Sequence, residues 1–338
     1  MLRRALPSCL LGLLLVFFSS AAFAQYTVTW LDTNNTTTAN PPDPLLINAW
    51  GLTRGPSTPW WVSDEGSGWS TLYNGAGVKQ GLQVVVPGAN GAQGTPTGIV
   101  FNPWGRFKIK GGTSVFIFAG LDGTISGWVP SISFTKAMIA VDNSAAGNSY
   151  TALAVTNYAT RNWIYAADNA HNKVDIYNDE FEWAGSFTDK SLPANMSVFG
   201  IRDLNGLLYV SFADINGGTG GVVDIFSEKG VWLKQLVSGG ALNQPWGFAA
   251  APSGFGPLSN TLLVSNNTNT GTINGFNAIT GAWVGVVKDG KGNPVMIDQL
   301  WGIDFGGGNT ADGATNELFF TAGPNNNANG LFGSIMIK

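Results

Sequence analysis

"WIYAADNAHNKVDIY", residues 163–177, has the pattern of a hairpin: an apolar β-rich run, a turn built from Asp, Asn and His, and a second run ending on an aromatic. The construction recurs as "WWVSDEGSGWSTLY" (60–73), "VFIFAGLDGTISGW" (115–128), "LLYVSFADINGGTGGVVDIF" (207–226), "LLVSNNTNTGTINGF" (262–276) and "LFFTAGPNNNANGLFGSIM" (318–336). The second runs end on Tyr73, Trp128, Tyr177, Phe226, Phe276 and Met336. Two residues earlier stand Thr71, Ser126, Asp175, Asp224, Asn274 and Ser334, polar in every copy. The two-residue period of a strand puts each such pair on one face.

Upstream of each hairpin lies another short strand: "NAWGL" (48–52), "TPTGIVF" (95–101), "SYTALAV" (149–155), "SVFGIRDL" (197–204), "QPWGFAA" (244–250) and "QLWGIDF" (299–305). They align on a column of Gly51, Gly98, Ala152, Gly200, Gly247 and Gly302, spaced ~50 residues apart as propeller blades are. A fourth run follows in the first five copies: "LQVVV", "AMIAV", "EWAGSF", "VWLKQL" and "AWVGVV". The expected fold is therefore all-β, a six-bladed β-propeller with four antiparallel strands per blade. The blades span about 45–90, 91–145, 146–192, 193–240, 241–292 and 293–338. The sixth copy has only three strands before Lys338, and an open edge is a liability. The run "YTVTWL" (26–31) belongs to no other blade, so it is expected to close blade six.

Residues 1–24 carry the marks of a secretory leader. Arg3 and Arg4 are followed by the apolar "CLLGLLLVFF" (9–18) and the small-residue site "AFA" (22–24). The apolar run falls short of the ~20 residues a spanning helix needs. An exported domain, periplasmic or extracellular, is expected over 25–338, with no membrane span and as a monomer. The only cysteine, Cys9, lies in the leader, so stability must come from core burial rather than disulfides. The whole sequence has a net charge of −4 and is only 11% charged, which leaves no basic patch to neutralise phosphates and excludes nucleic acid as a partner class. Its 46 glycines and 13 tryptophans suit short strands, tight turns and aromatic filling between sheets.

"ALAVTNYATRNWIYAADNAHNKVDIYN" resembles an NHL repeat, with its inner strand, a second strand ending in Ala-Asp, a short turn and a third strand ending in an aromatic. More broadly, "NAWGL", "WWVSDEGSG" and "GLDGTISGW" are similar to an uncharacterised family of secreted bacterial six-bladed propellers. That resemblance implies the fold and carries no established reaction.

Chemistry is harder to place than fold. His171 is the only histidine, no G-x-S-x-G elbow is present, and the mature chain offers no thiol, so nucleophilic catalysis and zinc are disfavoured and no catalytic residue is assigned. His171 and Asp168 read as turn residues of a repeated scaffold. Oxygen ligands for a hard cation, calcium or magnesium, are better supplied. The turns between second and third strands open on one face and carry Asp64, Glu65, Asp168 and Asp214, the candidate metal ligands. Gluconolactonase-like propellers, which the fold resembles, use a carboxylate–asparagine set around a central cation for hydrolysis. Against this stands the ordinary preference of hairpin turns for Asp and Asn. Trp50, Trp246 and Trp301 precede the repeat glycine in three blades, with Phe199 at that position in a fourth. Ringing a channel mouth, they are the candidate ligand-binding residues for a small molecule or glycan, with core packing between blades as the other reading. Two functions stay open: a binding module for a small molecule, glycan or protein, and a metal-dependent hydrolase or lactonase.

Overall fold

In the computed structural model, which describes residues 26–338, each repeated hairpin stands in a four-stranded antiparallel sheet, and there are six such sheets. The leader expected over residues 1–24 lies outside the described residues. The inner strands are Ala49–Thr53, Pro96–Phe101, Tyr150–Tyr158, Met196–Leu204, Pro245–Ala250 and Leu300–Phe305. In five blades the strands follow one another outward in chain order. In the sixth, Tyr26–Thr33 pairs antiparallel with Leu331–Ile337, matching Tyr26 to Ile337 and Thr29 to Ser334. The strand Tyr26–Thr33 thus completes the last blade, and the ring closes as the sequence predicts.

Blade interiors show why the repeats read as continuous apolar runs rather than alternating ones. Both faces of each blade pack against a neighbour, so Trp60–Asp64, Phe116–Gly120, Leu262–Asn266 and Leu318–Ala322 are buried at every position. The core divides accordingly into clusters that fill the gaps between blades, and the one between blades three and four continues into Trp50, Trp246 and Trp301. Trp61, Phe116 and Trp128 join blades one and two. Trp60, Phe319 and Phe332 join blades six and one.

The glycine column sets how tightly the inner ring closes. A β-carbon on Gly200 would overlap the Trp246 carbonyl oxygen of the next blade, and one on Gly51 would overlap that of Thr97. Hydroxyls tie neighbouring blades together as well: Thr97 Oγ1 donates to the Tyr150 carbonyl at 2.6 Å, Thr151 Oγ1 to the Phe199 carbonyl at 2.7 Å, and Ser265 Oγ of a second strand to the Trp301 carbonyl at 2.6 Å. At Gly51 and Gly200 this backbone-to-backbone contact needs a residue without a side chain, whereas blade three accommodates Ala152 in the column.

Candidate functional site

The N-terminal ends of the inner strands form one channel mouth, and the structure fills it with the tryptophans themselves. Trp50 stacks on Trp301 with ring centroids 3.7 Å apart, and Trp246 meets both edge-on at 6.3 and 5.8 Å. Phe199 adds an edge contact to Trp301 at 5.8 Å. All three indoles are buried, at 6%, 7% and 3% exposure. Trp246 of blade five donates its indole N–H to the Thr151 carbonyl of blade three at 3.2 Å, so it reaches across the ring. Trp301 donates to Asn48 Oδ1 at 3.0 Å.

A backbone signature aims these rings. Asn48, Gln244 and Gln299, each two residues before a channel tryptophan, all adopt a left-handed conformation (φ 47°, 52° and 50°). Their carbonyls accept N–H groups just beyond the second strands, from Glu65, Asn267 and Gly323. A non-glycine residue in this region is uncommon and must be held by its surroundings. The motif Asn/Gln-x-Trp-Gly in blades one, five and six is thus a sequence signal for the filled mouth.

The four candidate metal ligands are each tied within or beside their own turn. Asp64 is fully buried and accepts from the Thr71 hydroxyl at 2.7 Å and its N–H at 3.0 Å. Glu65 accepts from Asn48 Nδ2 at 2.8 Å. Asp168 pairs with His171 Nδ1 at 2.7 Å and accepts from Asn148 at 2.8 Å. Asp214 accepts from Asn195 Nδ2 and the Asn216 N–H, each at 2.8 Å. Among the described residues, no group of three or more His, Cys, Asp or Glu side chains is placed so that it could hold a metal ion.

The opposite mouth, at the C-terminal ends of the inner strands, holds a cavity of about 410 Å³. Its lining starts at Gly51, Gly98, Gly247 and Gly302 and reaches Arg54, Trp104, Arg202, Asp203 and Asp304, with Trp246 at the inner end. Inner strands are sheet edges, so their carbonyls need outside donors. Arg202 supplies them, donating Nη1 to Phe248 O at 3.0 Å and Ile303 O at 3.2 Å, and Nη2 to Asp304 Oδ2 at 2.7 Å. Arg54 donates Nε to Phe305 O at 3.1 Å and pairs with buried Asp312 at 3.2 Å. Burial, with the charge of Glu228, pushes the Asp203 carboxyl up to about 6. Sequence reasoning missed these charged residues because each is a single residue at a strand end with no motif around it.

The polar column of the third strands also finds its partners. Outer-strand tryptophans lie over it: Trp183 Nε1 donates to Asp175 at 3.2 Å, Trp232 to Asp224 at 3.3 Å, and Trp283 to Asn274 at 3.1 Å. Those rings stay half exposed because one face covers the buried polar group. Asp224, which is fully buried, shares a carboxyl–carboxylate hydrogen bond with Asp189. Burial and then that neighbour push Asp224 up to about 7. Burial also raises Asp189, but hydrogen bonds from Ser191 and Asp224 hold it below the usual carboxylate range.

A pH dependence follows. Unfolded, Asp224 ionises in the ordinary range, so the folded state binds the extra proton. Its contribution is fully present below about pH 4 and is lost as pH rises through 7. Asp32, raised to about 6 by burial first, adds to the slope at its acidic end. We expect melting temperature to fall between pH 5 and 8, and Asp224→Asn to flatten that fall. An unchanged slope in the variant would remove the shared proton from the account.

Fold and cavity together define the class: a six-bladed β-propeller with one filled and one open channel mouth. No protein-family profile matches the chain. It is similar to uncharacterized protein R640 of Acanthamoeba polyphaga mimivirus, 31% identical over 263 residues, covering 72% of this chain and 48% of that protein. The chain therefore spans about half of that relative's length. Uncharacterized protein R648 of the same virus is 28% identical over 340 residues, covering 93% of this chain and 81% of its own. Among solved structures, a streptogramin B lyase superposes with a TM-score of 0.56 at 12% identity, covering 94% of this chain and 100% of that one. A gluconolactonase from Xanthomonas campestris gives 0.52 at 13% identity, covering 87% and 88%. These likenesses bear on the fold alone, which is that of a β-propeller. Both relatives are viral, so they add nothing to the expectation of a bacterial secreted protein.

Proposed function

We propose that the protein is a ligand-binding propeller whose ligand occupies the channel from the mouth where the inner strands end. The observation behind this reading is the 410 Å³ cavity ringed by Arg54, Arg202, Asp203 and Asp304, opposite a mouth filled by stacked indoles. Small-molecule sites are concave, walled largely by apolar groups, and carry a few converging polar ones. Of the neighbours' named activities, gluconolactonase lends loose support to a hydrolase or lactonase and lyase only to an enzyme in general. Binding is the better fit, since the acids on the turn face serve their own turns. Export belongs to the same proposal and rests on the sequence of residues 1–24 alone.

The test uses 5-fluorotryptophan labelling and fluorine NMR with a fragment library, with the cavity residue assigned through Trp104→Phe. Fragments that bind should shift Trp104 and leave the outer-strand Trp183, Trp232 and Trp283 unmoved. Hits that move only the outer-strand resonances would place binding elsewhere and defeat the proposal.

A further inference from the structure

Resting on that channel reading, we infer that the ligand is a neutral, hydroxyl-rich ring compound with the size of a mono- or disaccharide. Charge is the first argument. The cavity is lined by two cations, Arg54 and Arg202, and two carboxylates, Asp203 and Asp304, so its formal charges cancel. Asp312 backs Arg54, and Glu228 acts on Asp203, so no positive excess awaits an anion. Asp304 and Asp312 are already paired with the guanidiniums, and burial disfavours the charged form of Asp203, so no full counter-charge awaits a cation either. A charged ligand would bring a charge into a partly buried site that has no counter-charge to spare, which is costly.

Hydrogen-bonding capacity is the second argument. A guanidinium has five N–H donors. Among the described residues, Arg202 uses three of them, on Phe248 O, Ile303 O and Asp304, which leaves two. Arg54 engages Phe305 O and Asp312, which leaves three. Asp203 Oδ1 accepts the Gly206 N–H, while its second oxygen keeps acceptor capacity. Donors and acceptors therefore both occur on the lining, with Arg202 bonded to Asp304 across the ring and Asp203 following Arg202 on the same strand, where alternation turns it to the other face. A hydroxyl both gives and accepts a proton, so a ring carrying adjacent hydroxyls can satisfy both kinds of group at once.

Shape is the third. Trp104 offers indole surface, and Ile99, Leu153 and Val155 also belong to the lining. The C–H faces of a saccharide ring pack on such surfaces while its hydroxyls point to the edge. The volume of about 410 Å³ leaves room for one or two six-membered rings.

The experiment titrates the fluorotryptophan-labelled protein with glucose, maltose, cellobiose and myo-inositol, and separately with gluconate, glucose 6-phosphate and spermidine. Saturable shifts of the Trp104 resonance are expected with at least one of the neutral compounds, and at least tenfold weaker binding with the charged ones. Arg202→Met should weaken the neutral ligand at least tenfold while circular dichroism stays unchanged. If that variant fails to fold, Asp203→Asn carries the same test. Charged probes moving Trp104 while neutral ones do not would overturn the ligand class and leave the channel reading standing. Silence of Trp104 toward both sets and toward the fragment library would overturn both.

Discussion

Deleting residues 26–30 should prevent the protein from reaching its native state. Those residues pair with Gly333–Ile337 along the outer edge of blade six. Tyr26 is 3% exposed and donates its hydroxyl to the Phe255 carbonyl of blade five at 2.8 Å. The deletion removes a whole ladder and this anchor, and it opens a new edge beside buried Phe332 and Ile335. A loss on the order of 5 kcal/mol or more is expected, comparable to the whole stability of many domains. Soluble yield, near-ultraviolet circular dichroism and thermal melting report it. A synthetic peptide of residues 26–33, added during refolding, should restore part of the signal by filling the same edge. A truncated chain that melts at the parent temperature would mean the ring does not depend on this closure.

Gly200→Ala is expected to have the next largest effect. Its new β-carbon would overlap the Trp246 carbonyl oxygen, a backbone atom that cannot swing away as a side-chain tip would. Relief requires blades four and five to part, which would strain the Thr151 hydroxyl bond to Phe199 O and the Ser211 hydroxyl that accepts the Gly200 N–H at 2.9 Å. Overpacking a core costs about 1–3 kcal/mol, and a clash with backbone on the inner ring belongs at or above the top of that range. Ala152 supplies the internal control, because blade three carries an alanine in the same column. Ala152→Gly should cost about 1 kcal/mol or less, mostly through the freedom glycine gains when unfolded. Urea unfolding of both variants decides the matter, and equal small losses would show that the column is not what limits approach of the blades.

The turn around His171 shows how local pattern and tertiary setting divide the information. Its spacing recurs in blades without a histidine, and the structure gives it a scaffold role. Asp168 binds the His171 ring and the Ser149 N–H, while Lys173 and Tyr150 converge on Asp175. That network could be read as turn chemistry because its members lie within one repeat.

The sequence by itself determined the hairpin period, the six blades, the closing strand and the polar column, since each rests on neighbours a few residues apart or on a pattern repeated along the chain. It also carried a signal for the filled mouth in Asn48, Gln244 and Gln299, legible once left-handed backbone is expected two residues before a channel tryptophan. Only the tertiary structure decided which mouth stays open. Whether an indole lines a channel or plugs it depends on contacts across the ring, such as Trp246 of blade five on Thr151 of blade three. The same holds for Arg54, Arg202, Asp203 and Asp304, scattered over three blades and without a shared motif. They become one site because ring closure brings the ends of their inner strands together, and no local pattern encodes a distance set by six blades at once.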